Sequence, residues 1–112
     1  MSTSLTVIVA ILAVVFVISG LSKASGNAKG LSGTRDVNVP DWLARIVGLV
    51  ETASALGLLI GLKYSWMLWA PLMTLWVLMA GAIYFHFRAD KPKTSFPAFF
   101  LLTVISIALV TI

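Results

Sequence analysis

"RIVGLVETASALGLLIGL", residues 45–62, decides how the whole chain is to be read. It is long and apolar enough to cross a bilayer, for which about 20 mostly apolar residues suffice. Yet it opens on Arg45 and carries Glu51 in its interior. A charged side chain at the centre of a spanning helix costs roughly 2.5–3.5 kcal/mol on the insertion scale, so such residues are paired or functional. On a helix, Ala44, Gly48, Glu51 and Ala55 follow one another at steps of four, three and four, and the carboxylate lies in a lane of small residues. Small residues let another helix come close, and Gly57 with Gly61 adds a second close-approach step on a neighbouring face. Glu51 is therefore expected to point into a bundle.

The rest of the chain is of the same kind. Of its 112 residues 60% are hydrophobic and only 11% charged, with a mean hydropathy of +1.04. Soluble domains keep a far larger charged share, so this is an integral membrane protein. The length holds four spans, at about 5–21, 42–62, 64–87 and 96–112, in a single domain over 1–112. All four are expected to be helices, giving an all-α membrane four-helix bundle, because helices satisfy their own backbone hydrogen bonds in lipid and four strands cannot close a barrel. Asp41 in "VPDW" reads as the N-cap of the second span, and Ser95 or Phe96 in "SFP" as that of the fourth. The polar stretch 22–41 is long for a connection in a bundle and is either a flexible loop or a lid.

Several functions are excluded. With no cysteine, the chain performs no thiol relay, thiolate metal binding or covalent c-type haem attachment. The net charge of +4 does not signal nucleic acid, because the basic residues sit in short loops beside apolar spans. Lys23, Lys29 and Arg35 lie in one inter-span segment and Arg88, Lys91 and Lys93 in another, against Lys63 and the terminal amine on the opposite side. By the positive-inside rule the two basic loops are cytoplasmic and both termini lie outside. "MSTSL" lacks a basic lead, so the first span is expected to be retained and not cleaved as a signal peptide.

Matching stripes occur on the other spans: Val9, Ala13, Phe16, Gly20 and Lys23 on the first, and Leu75, Met79, Ala82 and His86 on the third. Phe99, Thr103, Ser106 and Val110 share a face of the fourth and offer hydroxyls toward the level of Glu51. With Trp42 at the interface, a rise of about 1.5 Å per residue puts Arg45 about 4–5 Å deep and Glu51 about 13 Å deep. The expected site is a polar pocket open toward the cytoplasm, with Glu51 at its floor and Lys23, Arg45 and His86 around its mouth. Each residue also has a structural role open to it. Glu51 serves as a salt-bridge partner of Lys23 or Arg45, Arg45 snorkels to phosphates, and His86 makes an interfacial hydrogen bond. No metal site is expected, and haem held by His86 with Met79 is disfavoured, because two residues on one helix cannot be opposite axial ligands. Most of the tryptophans and tyrosines are expected to be belt anchors, with Trp76 packed or facing lipid in mid-span.

"FVISGLSK" (16–23), the 45–62 stretch, "MAGAIYFHFR" (79–88) and "FPAFFLL" (96–102) together resemble the successive segments of the DoxX-like membrane proteins. The matching positions are Lys23, Arg45, Gly48, Glu51, Gly57, Gly61, Met79, Gly81, Ala82 and His86. The resemblance implies a four-helix membrane bundle in a group linked to redox biology. Its members include subunits of an archaeal thiosulfate:quinone oxidoreductase, part of a mycobacterial oxidoreductase complex, a methylamine-utilisation maturation protein, and animal assembly chaperones for channels. One fold thus serves several activities. Without cysteine or an appended domain, this chain is expected to be an accessory part and not an autonomous enzyme.

Taken together, the residues and the resemblance lead to a bacterial inner-membrane protein that binds a lipophilic molecule such as quinone within a redox or oxidative-stress complex. Arg45, His86 and Lys23 would polarise the ligand's carbonyls and Glu51 would relay a proton. Gly48, Ala55, Gly57, Gly61 and Gly81 would pack helices, and the protein would form a homo-oligomer. Two alternatives stand beside this: a non-catalytic assembly scaffold whose GxxxG face meets partners, and a proton-coupled or small-solute carrier.

Overall fold

Helices α1 (Thr3–Ala24), α2 (Ala28–Asp36), α3 (Asp41–Gly61), α4 (Trp69–Arg88) and α5 (Phe96–Thr111) make up a computed structural model that describes residues 1–112. Short 3-10 turns at Ser65–Leu68 and Pro92–Ser95 lead into α4 and α5. All but α2 belong to segments long and apolar enough to cross a membrane. They form a ring: α1 packs on α3, α3 on α4, α4 on α5, and α5 returns to α1. The molecule is 39 Å along its longest axis, enough to span a hydrocarbon core of about 30 Å. It is an integral membrane four-helix bundle.

Side chains divide as lipid and bundle require. Val14, Ile18, Leu49, Val77, Phe100 and Val110 are exposed on the outside, a pattern that suits acyl chains and not water. Val9, Leu12, Phe16, Leu58, Leu72, Leu75 and Ile105 fill the interior.

The tightest crossing is between α1 and α3. A Cβ added to Gly48 would come 2.6 Å from the Gly20 carbonyl oxygen and 2.7 Å from Lys23 Cβ, so the two backbones meet where neither glycine has a side chain. Gly57 faces Pro71, and Gly61 is covered by Leu68. The GxxxG face is thus spent inside the chain, on the turn from α3 into α4. It is not left open for a partner.

Four details differ from the sequence expectation. The 22–41 stretch contains α2, capped by Asn27, whose side chain accepts from the Lys29 and Gly30 amides. A run of nine mostly polar residues carries no spanning signal, so its helix was invisible to a search for long apolar periodicity. Asp41 is the first residue of α3 and not its cap; Pro40 holds the cap position, and Asp41 binds Arg35 through both carboxylate oxygens. On α5 the Thr103 and Ser106 hydroxyls donate to Phe99 and Leu102 carbonyls on their own helix. Neither bonds to Glu51, whose only side-chain partner is Lys23; Ser106 also accepts from Trp76 Nε1 at 3.0 Å, which ties α4 to α5 in mid-span. At the head of α5, Ser95 is the cap residue, but its hydroxyl donates back to the Pro92 carbonyl and not to the helix.

Candidate functional site

Glu51 sits on α3 opposite the last turn of α1, and the close crossing at Gly20 and Gly48 brings the two helices near enough to pair across it. Lys23 Nζ donates to Glu51 Oε1 at 2.8 Å and to Ser19 Oγ, one turn back on α1, at 2.6 Å. Glu51 is 1% exposed and the Lys23 side chain 19%. The other carboxylate oxygen, Oε2, is buried and receives no hydrogen bond. A buried carboxylate with one oxygen unsatisfied is costly, since each unmet polar group forfeits about 1–3 kcal/mol of solvation, more when charged.

Glu51 and Lys23 border a cavity of about 600 Å³ that opens between α1, α3 and α4. That size lies within the range of ligand pockets, about 300–1,000 Å³. Its walls are mostly apolar, among them Val15, Leu78, Phe85 and Leu101, and its few polar side chains are Ser19, Lys23, Thr34, Glu51, His86 and Thr94. Helix α2 and the residues after it form one side, contributing Gly33, Thr34, Val37 and Val39. The lid alternative for 22–41 is the one this geometry fits.

The lid is anchored on three sides. Leu31 and Val37 are buried in a small second core with Val39 and Ala44, against which Phe85 packs. Arg35 grips Asp41 in a two-bond fork, Nε to Oδ1 at 3.0 Å and Nη2 to Oδ2 at 2.8 Å. The hydrogen bond to Asp41, and then its charge, raise the Arg35 guanidinium further above its already high range. Lys91, from the turn after α4, donates to the Asp36 carbonyl at 2.9 Å.

Of the four residues expected at the pocket, Glu51, Lys23 and His86 border the cavity and Arg45 does not. Arg45 Nε instead donates to the Ala24 carbonyl at 3.1 Å, beneath the turn where Gly26 adopts a φ of +75°. It closes the end of α1, because six residues separate Arg45 from Glu51 and the helix has rotated Arg45 to another face. His86 Nδ1 lies 2.6 Å from Thr94 Oγ1, and that hydroxyl is 2.7 Å from the Lys91 carbonyl. Gly81 likewise departs from its expected role in helix packing: a Cβ there would meet nothing within 4 Å, because it faces the cavity, and Gly33 on the lid is the same.

Ser19 and Thr94 escaped the sequence reading. Ser19 was findable, since it precedes Lys23 by one helical turn. Thr94 was not, because it reaches His86 only through the turn between α4 and α5. No three histidine, cysteine, aspartate or glutamate side chains come together in the molecule.

A family model described as the DoxX-like family matches residues 7–109, nearly the whole chain. Neither a curated protein nor a solved structure shows significant similarity to it.

Proposed function

The chain belongs to the DoxX-like family, and from that premise and the cavity beside Glu51 we propose that it binds a lipophilic small molecule with a polar head, such as a quinone, within the membrane. One observation carries this most directly: a buried carboxylate with a free oxygen borders a mostly apolar cavity of ligand size. A salt bridge alone needs no cavity, and a lipid-filled gap needs no carboxylate. The apolar walls suit a tail, and Glu51, Lys23 and His86 suit a head that forms hydrogen bonds. A lid built from α2 would let the head end be entered from the basic side of the bundle.

The proposal places the protein in the bacterial inner membrane as an accessory member of a redox or oxidative-stress complex, where it also associates with copies of itself. The redox-linked relatives named above motivate the first part, and the seven basic residues gathered at the lid end, against Lys63 alone at the other, support termini on the outer face. A scaffold role gains less support, because the GxxxG face that would meet partners is covered by Pro71 and Leu68.

The test is His86→Ala, a substitution at the exposed end of α4 that leaves the core untouched. Purified in mild detergent, the variant should melt as the wild type does but lose the lipophilic molecule seen in the wild-type lipid extract by mass spectrometry. An identical extract from both proteins, with no specific compound in either, would refute the proposal.

A further inference from the structure

Helices α3 and α4 meet at the end away from the lid and part as they approach it. At the far end a Cβ on Gly57 would lie 3.3 Å from Pro71. Steps of seven residues are close to two helical turns, so Leu43 shares a face of α3 with Gly57, and Leu78 and Phe85 share a face of α4 with Pro71. The faces that touch at Gly57 and Pro71 thus line the cavity at Leu43, Leu78 and Phe85. Under the lid they are bridged again, because Leu43 and Phe85 both pack on the second core of Leu31, Val37, Val39 and Ala44. Between these two closures the wall of the bundle is open.

The rim of the opening is Val47 on α3 and Val77, Leu78 and Gly81 on α4, all of which line the cavity. None of the four is buried, and Val77 is 60% exposed. At Gly81 an added Cβ would meet nothing within 4 Å. Val77 lies in the middle of α4, about 12 Å along the helix from Trp69 and about 16 Å from Arg88 at a rise of about 1.5 Å per residue. At that depth in a hydrocarbon core of about 30 Å, the neighbours of an exposed side chain are acyl chains and not water. A rim of two valines, a leucine and a glycine passes hydrocarbon and bars a charged group, which would have to cross lipid unpaired to reach it.

From this we infer that the cavity has a second opening, a lateral window between α3 and α4, through which the tail of a long-chain amphiphile extends into the bilayer while its head lies at the Lys23 and His86 end. The inference rests on the ligand-binding proposal above and adds to it the class of occupant. His86 and Val77 are about 13–14 Å apart along α4, which sets the length of tail held inside. A sealed pocket of this size would reject longer tails, whereas an open window leaves the surplus carbons in lipid. Because acyl chains are as apolar as the cavity's own walls, moving a tail from bilayer to cavity gains little, and discrimination is left to the head.

Photolabelling from within the bilayer tests it. The wild type is placed in phosphatidylethanolamine and phosphatidylglycerol vesicles holding a palmitate analogue with a diazirine at mid-chain, irradiated, and mapped by peptide mass spectrometry. Ile18 and Val110, exposed on the outside of the bundle, serve as controls that the probe reaches any lipid-facing residue. Phe16 and Ala98 are buried and line the cavity, so a tail reaches them only from inside it. The wild type is expected to be labelled at all four. Gly81→Trp and Val47→Trp, which plug the window from opposite rims, should each lose the label at Phe16 and Ala98 and keep it at Ile18 and Val110. Interior labelling that survives in both variants would overturn the window, as would a wild type labelled only on its outside. If that unlabelled wild type still carries a lipophilic molecule in its extract, the binding site stands without the window; if it carries none, both readings fall.

Discussion

Glu51 divides its two oxygens between structure and vacancy of partners: one is held by Lys23, the other by nothing. The pair is unequal in burial, and that inequality is measurable. Lys23→Met would strand a carboxylate that is 1% exposed, whereas Glu51→Gln leaves a lysine that is 19% exposed at the edge of a cavity. Removing one member of a buried pair costs about 3–5 kcal/mol when the survivor stays desolvated. Lys23→Met is therefore expected to lower the melting temperature more than Glu51→Gln, and the double variant should recover part of the loss. Equal losses, or additive ones in the double variant, would contradict the pairing. The sequence left Lys23 and Arg45 as rival partners because helical spacing tells which face a residue occupies, not which neighbour covers that face. The contact across helices that chose Lys23 depends on the crossing at Gly20 and Gly48.

At the scale of elements, glycines that look alike in the sequence do opposite things. Gly48 lies against the α1 backbone, while Gly81 opens on the cavity with no atom within 4 Å of an added Cβ. Gly48→Ala should force α1 and α3 apart and destabilise the bundle. Gly81→Ala should stabilise it by about 0.5–1 kcal/mol, the ordinary gain of alanine over glycine in a helix. Thermal unfolding of both variants in one detergent decides the matter; shifts of the same sign would contradict the assignment of the two faces. Hydropathy and the small-residue lane made the spans and the buried faces of α1, α3 and α4 legible in advance. Helix α2 was not legible, since its formation depends on the Asn27 cap and on Leu31 finding Val37, Val39 and Ala44 across the turn. Its fork to Asp41 suggests a second check: Arg35→Gln should raise hydrogen exchange across residues 28–36 and leave α1 and α3 protected. Unchanged exchange in α2 would show that the fork does not hold the lid.

For the whole molecule, the ring of helices fixes the lid, His86 and seven of the eight lysines and arginines at one end, with Lys63 and both termini at the other. The positive-inside rule then predicts that a reporter fused after Ile112 behaves as periplasmic, and cytoplasmic activity there would invert the direction from which the cavity is entered. The claim on which all of this converges is that the cavity beside Glu51 holds a lipophilic molecule. Native mass spectrometry of the wild type beside Gly81→Leu, which places a larger side chain into that space, tests it most directly. The wild type should carry a discrete added mass that Gly81→Leu lacks while still melting as a folded bundle; the same spectrum from both proteins would contradict it.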